Sequence, residues 1–133
     1  GAKIQEKLEE KNHSSERIII PDEEDEIEEE LMEFINNPEI DAVITTGGTG
    51  IAKRDKTIEV VRELFEKELP GFGEILRRIG YEKVGGPAML TRATAGIIDD
   101  KPVFCLPGAP NSVEIAMDLI LPDLGHLVKH ASE

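Results

Sequence analysis

The chain has 133 residues, 39% of them hydrophobic and 32% charged, and 15 basic against 28 acidic side chains give it a formal net charge of −13. Residues 1–133 are therefore expected to form a single domain with its own core, too apolar for a disordered chain and without an apolar run long enough to span a bilayer. So acidic a body repels polyanions, which argues against DNA or RNA as a partner. The only cysteine, Cys105, rules out an internal disulfide and suits a reducing cytoplasm.

Residues 1–11 are charged from the start and show no secretory signal pattern. Ile4 and Leu8, four apart among Lys and Glu, predict an amphipathic helix ending near Asn12. The β-branched run at 17–20 predicts a strand stopped by Pro21. Ile27, Leu31, Phe34 and Ile35 then recur at helical spacing up to Asn36-Asn37-Pro38. The carboxylates between Glu23 and Glu30 read as the solvated front of that helix. Residues 41–46 repeat the design, with Ala42-Val43-Ile44 continuous and apolar as in a strand covered on both faces. After Thr45-Thr46-Gly47-Gly48-Thr49-Gly50, residues Ile58, Val61, Leu64, Phe65 and Leu69 predict a helix ending at Pro70-Gly71.

A helix over 72–81 should bury Ile75, Leu76 and Ile79, and Gly85-Gly86-Pro87 breaks the chain before a short segment at 88–91. Residues 95–98 and 102–106 flank Asp99-Asp100-Lys101 as a hairpin, with Cys105 as a buried thiol. Pro107-Gly108-Ala109-Pro110 is a rigid turn, after which Asn111 or Ser112 is expected to cap a helix carrying Val113, Ala116, Met117 and Ile120. Pro122 opens a final helix with Leu124, Leu127 and Val128, on which His126 and His130 read as surface residues. These elements predict an α/β fold in three layers: a mostly parallel sheet with helices on both faces and an antiparallel edge hairpin. Sheets of this class open with a strand whose loop lines the ligand site, yet this chain opens inside a helix, so an N-terminal strand is expected to be lacking.

The segment Thr46, Gly47, Gly48, Thr49, Gly50 follows a strand, where ligands bind in open α/β sheets. Glycine lets backbone N–H groups approach a phosphate, and successive amides at a turn form an anion-binding concavity. The spacing is neither a Walker loop nor a dinucleotide fingerprint, and a plain turn is the competing reading. Lys53, Arg54 and Lys56 add positive charge beside the loop, either to meet phosphate or to keep the surface soluble. Asp55 stands among them and Asp22 follows the preceding strand. Two such carboxylates can hold Mg²⁺ against substrate phosphates, and each can equally be a helix N-cap.

Ile20-Pro21-Asp22-Glu23, the glycine loop with Arg54-Asp55 and Thr57, Pro70-Gly71-Phe72-Gly73-Glu74, and Leu106-Pro107-Gly108-Ala109-Pro110 together resemble the MogA/MoaB family of molybdenum-cofactor biosynthesis, in order and in spacing. The resemblance implies a homotrimeric α/β protein that binds molybdopterin. It further implies transfer of AMP from ATP to the pterin's terminal phosphate, with Mg²⁺ and release of pyrophosphate. It matches Asp22 and Asp55 to the acidic residues of that chemistry and Gly47, Gly48, Thr49 and Gly50 to the ligand loop. Pro107, Gly108, Ala109, Pro110 and Asn111 match a second lining turn, and Thr91-Arg92, which stands where Ser-Arg is common, is counted with the substrate-binding residues. By location, Thr49 is expected to hold phosphate oxygens, and Lys53 or Arg54 to offset charge on the leaving pyrophosphate. A carrier that binds the pterin without transferring AMP, with a metal-insertion protein as partner, and a structural trimer that docks through its acidic helix are the other readings.

Overall fold

The computed structural model describes residues 2–10 and 24–133, with the backbone alone for Ala2 and Lys3. The strand expected at 17–20, and Asp22 with it, lie outside the described residues. In chain order the elements begin with α1 (Ala2–Glu10), α2 (Glu24–Ile35), β1 (Val43–Thr46), α3 (Thr57–Leu64), β2 (Lys67–Glu68) and α4 (Pro70–Val84). A 3₁₀ turn (Gly86–Leu90) leads to β3 (Thr94–Ile98), β4 (Lys101–Leu106) and α5 (Pro110–Ile120). A second 3₁₀ turn (Leu121–Asp123) leads to α6 (Leu124–Ala131).

The strands lie in the order β1-β4-β3-β2. β4 is central, and from Pro102 to Leu106 every residue is buried, which suits its unbroken apolar sequence. Side chains alternate across a strand, and β4 shows both faces in use. Val103 and Cys105 join Val43 and Ile98 beneath Leu31 and Ile35 of α2 and Ile58 and Val61 of α3. Phe104 and Leu106 face the other way, onto Ile4 and Leu8 of α1, Leu76 of α4, Val113, Met117 and Ile120 of α5, and Leu124 of α6. Phe72 meets Phe104 edge-on with ring centroids 5.4 Å apart. Three layers result, as expected.

The hairpin forms where it was read in the chain, but among the described residues it occupies the middle of the sheet and not its edge, because β1 pairs with β4 and β2 with β3. Asp99 (φ 49°) and Asp100 (φ 66°) make the two-residue turn between Ile98 and Lys101, and positive φ at both matches the right-handed twist of the flanking strands. Aspartate tolerates that conformation better than most residues.

Three local expectations change. The helix expected to run to Pro70 stops at Leu64: Phe65 turns extended (φ −63°, ψ 128°), and Lys67–Glu68 pair with Ile97 and Gly96 as an antiparallel edge strand. A Cβ on Gly96 would sit 2.6 Å from the Phe65 ring, so the missing side chain is what admits the ring. Among the described residues the sheet is therefore mixed, with one parallel pair (β1–β4) and two antiparallel pairs, rather than mostly parallel. Pro70 does not end a helix but begins α4, where its missing N–H is no loss. Ile75, expected inside, is 50% exposed, while Leu76 is buried.

Candidate functional site

β1 and β4 run parallel in the register Val43↔Val103 to Thr46↔Leu106, so both strands end at the same level and their outgoing loops are neighbours. The Gly47 N–H donates to the Leu106 carbonyl at 2.9 Å, and the Thr46 hydroxyl donates to the Pro107 carbonyl at 3.3 Å. At Gly108 a Cβ would lie 3.5 Å from the Gly47 Cα. The two segments singled out in the sequence, 46–50 and 107–111, thus form adjacent walls at the carboxyl end of a parallel pair, where open α/β sheets place their ligands.

Gly47 (φ 88°) and Gly48 (φ 70°) both take left-handed backbone, which turns the chain back on itself directly after the strand. The N–H groups of Gly48, Thr49 and Gly50 have no hydrogen-bond partner among the described residues, which leaves three successive donors for an anion. The second wall offers more. α5 starts at Pro110 with Ala109 as its N-cap and no side-chain cap bond, and Val113 N–H to Ala109 C=O (3.0 Å) is its first helical bond. Neither Asn111 nor Ser112 is the cap expected of them, because Pro110 already occupies the first helical position. Their N–H groups are instead among the unpaired amides of a helix N-terminus beside the glycine loop.

Lys53 and Arg54 are exposed on the loop that follows, and Asp55 is half-buried at its base. Asp55 is not the N-cap of α3; that position is Lys56, again without a side-chain cap. Asp55 instead closes the loop on itself: its N–H donates to the Ala52 carbonyl at 2.9 Å, and its Oδ2 accepts the Ala52 N–H at 2.9 Å. Its other oxygen, Oδ1, has no hydrogen bond among the described residues.

Thr91 and Arg92 support the loop from behind. Thr49 is turned inward, 3% exposed, with its hydroxyl 3.0 Å from that of Thr91, so its side chain braces the wall instead of facing a ligand. The Arg92 N–H donates to the Thr49 carbonyl at 2.8 Å. The Arg92 guanidinium donates to the Gly50 carbonyl from Nε (3.0 Å) and Nη2 (2.7 Å), to the Asp55 carbonyl from Nη2 (3.0 Å), and from Nη1 to the Glu59 carboxylate. That last pairing holds the Glu59 carboxyl below its ordinary value. Behind this layer, Arg77 on α4 donates from Nη1 to the carbonyls of Thr91 (3.3 Å) and Ala93 (2.9 Å).

Glu59 and Arg77 were missed in the sequence. Each works on a partner more than ten residues away, and neither belongs to a local motif. Cys105 lies in the sheet, where burial pushes its thiol up to about 11 while the Thr45 hydroxyl on β1 offsets only part of that effect. His126 and His130 stand exposed on α6, their rings edge to face at 4.3 Å.

A mixed sheet between two helical layers, two parallel strands ending together, a glycine loop with unpaired amides and an uncapped helix start define an α/β domain with backbone donors gathered at its strand ends. Comparison with known proteins places it among relatives. A model described as a probable molybdopterin binding domain matches residues 1–126. The molybdenum cofactor biosynthesis protein B of Halalkalibacterium halodurans is 45% identical over 132 residues, which span 97% of this chain and 78% of that protein. The molybdopterin adenylyltransferase of Pyrococcus furiosus is 47% identical over 119 residues, 86% of this chain and 69% of its own. The crystal structure of the tungsten cofactor synthesizing protein MoaB from Pyrococcus furiosus superposes with a TM-score of 0.91 at 44% identity, covering 100% of this chain and 84% of that one. The chain belongs to the MogA/MoaB family of molybdenum-cofactor biosynthesis.

Proposed function

We propose that this protein is a molybdopterin adenylyltransferase, acting as one unit over residues 1–133. An oxygen of the pterin's terminal phosphate attacks the α-phosphorus of ATP, a new P–O bond forms, the bond bridging the α- and β-phosphates breaks, and pyrophosphate leaves. The single observation that carries the proposal is the gathering of the unpaired amides of Gly48, Thr49 and Gly50 and the uncapped start of α5 at the ends of the same parallel strand pair. Relatives named for this reaction, at 43% and 47% identity, support it.

In a transfer of this kind a protein mainly positions its reactants and neutralises developing charge. The loop amides donate to phosphate oxygens, and Pro107, Gly108, Ala109, Pro110 and Asn111 line the opposite side. Lys53 and Arg54, exposed beside the loop, offset charge on the leaving pyrophosphate.

The described residues fit Mg²⁺ of a particular kind. Among them no group of three or more His, Cys, Asp or Glu side chains is placed to hold a metal, but Mg²⁺ is commonly held by one or two carboxylates with waters and substrate phosphates supplying the rest. Asp55, with Oδ2 anchored and Oδ1 without a partner among the described residues, suits that arrangement, and Asp22 is its partner by resemblance. When bound, the ion withdraws charge from the phosphate oxygens.

We further propose that the protein assembles as a homotrimer in the cytoplasm. In support, Ile75, Tyr81 and Val84 on α4 and Met89 and Leu90 on the adjoining 3₁₀ turn are all exposed, with Met89 at 78%. Large apolar side chains left this exposed are costly unless another subunit covers them. No helix of the described residues is long and apolar enough to cross a membrane.

The test is pyrophosphate release from ATP and Mg²⁺, with and without molybdopterin. Release that depends on the pterin is expected. Tight pterin binding with no pyrophosphate would make the protein a carrier instead.

A further inference from the structure

We propose that Arg92 is a positioning residue that fixes the Asp55 carboxylate by splinting the loop 50–55, rather than a ligand for substrate phosphate. The inference rests on the adenylyl-transfer reading for its consequence in catalysis, but the splint itself is a matter of geometry.

A guanidinium has five N–H donors in a rigid plane. Arg92 directs Nε and Nη2 to the Gly50 carbonyl, Nη2 to the Asp55 carbonyl and Nη1 to the Glu59 carboxylate, which occupies donors on all three nitrogens. No free two-pronged edge remains to grip a phosphate. The carbonyls it holds belong to the first and last residues of the loop, and between them Ala52 and Asp55 exchange two hydrogen bonds. The loop therefore has a rigid internal turn and one external tie across its mouth. A Cβ on Gly50 would stand 2.8 Å from Asp55 Oδ2, so the mouth is also closely packed. Releasing the tie lets Gly50 and Asp55 separate and changes where the Asp55 carboxylate points.

Glu59, in the first turn of α3, orients the splint. It engages the guanidinium nitrogen that takes no loop carbonyl and so fixes the plane in which the other two donate. A lysine at position 92 retains the charge but offers one nitrogen in place of a planar fork, and cannot span both carbonyls and Glu59.

The test compares wild type with Arg92→Lys, Asp55→Asn and the double variant in the full chain, using hydrogen exchange, binding of molybdopterin and of ATP, and turnover. In Arg92→Lys the amides of residues 50–55 should exchange at least about tenfold faster, with the sheet unchanged. Molybdopterin and ATP Kd values should stay within about twofold, while kcat falls about 100-fold, the order expected when a reacting group is displaced by about 1 Å. The double variant should be no slower than Asp55→Asn alone. Arg62→Lys, a change on the Glu68 ion pair at the sheet edge, is the control and should leave turnover unaltered.

A Kd raised tenfold or more with kcat retained would make Arg92 a phosphate ligand and overturn the proposal, as would exchange at 50–55 no faster than in wild type, or multiplicative losses in the double variant. A wild-type protein that transfers no AMP, with faster exchange at 50–55 in Arg92→Lys, would refute adenylyl transfer while upholding the splint.

Discussion

Gly47 and Gly48 stand side by side in left-handed backbone but in different surroundings, and replacing each by alanine separates two kinds of cost. A Cβ at Gly47 meets nothing within 4 Å, so Gly47→Ala bears only the backbone penalty, about 1–2 kcal/mol for an L-residue in that region. At Gly48 the new Cβ overlaps the Thr57 hydroxyl and comes within 3.0 Å of the Thr57 Cβ, and Thr57 is itself buried in the first turn of α3. Overpacking adds about 1–3 kcal/mol, for a total of about 2–5 kcal/mol in Gly48→Ala. Urea unfolding followed by circular dichroism, at unchanged m-value, measures both. Because the hydroxyl is the nearest obstacle, Thr57→Ala in the Gly48→Ala background should recover part of the loss, a coupling of roughly 1 kcal/mol. Equal destabilisation by the two glycine variants, or no recovery in the double variant, would refute the close packing of this loop against α3.

The Arg92–Glu59 pair depends on pH. Because the folded Glu59 carboxyl titrates below its ordinary 4.5, the pair's contribution is present above that value and is lost as pH falls through the folded value. The stability difference between wild type and Glu59→Gln should be constant near neutrality and shrink in acid denaturation series below pH 4.5. Cys105, buried and pushed up to about 11, should resist iodoacetamide at pH 8 in the native protein and react fully in urea; rapid native labelling would contradict its place in the sheet. Met89→Glu sets a charge at an exposed apolar position and should lower the proposed trimer to monomer in sedimentation at micromolar concentration with the circular dichroism spectrum retained, and sedimentation identical to wild type would exclude Met89 from an interface.

The elements most legible in the sequence were those whose signals are local. The hairpin announced itself as two apolar runs around Asp99-Asp100-Lys101, although its second strand was expected at the sheet edge and lies inside the sheet. What misled was spacing that two structures share. Leu64, Phe65 and Leu69 keep a helical period, yet Phe65 leaves the helix because its ring finds room over Gly96, on a strand thirty residues further along the chain. No window around Phe65 contains that information. Proline likewise reads as a stop or a start, and at both Pro70 and Pro110 the start prevails. Ile75 fits the inward period of α4 and is still half exposed. At the site, the pattern alone read 107–110 as a turn and only the resemblance set it beside the glycine loop; the parallel register of β1 and β4 is what makes the two neighbours. The resemblance alone set Thr91-Arg92 beside the ligand; the bonds of Arg92 to the carbonyls of Gly50 and Asp55 come from folding and have no local sequence signal.

The central claim is that the strand-end site transfers AMP to molybdopterin with Asp55 at the reacting phosphates. Incubating the protein with molybdopterin, ATP and Mg²⁺ and identifying the pterin product by mass spectrometry tests it most directly. The account predicts the adenylylated pterin from wild type and its loss by two or more orders of magnitude in Asp55→Asn with pterin binding preserved. Unmodified molybdopterin recovered from a wild-type trimer that binds it, or full turnover by Asp55→Asn, would contradict it.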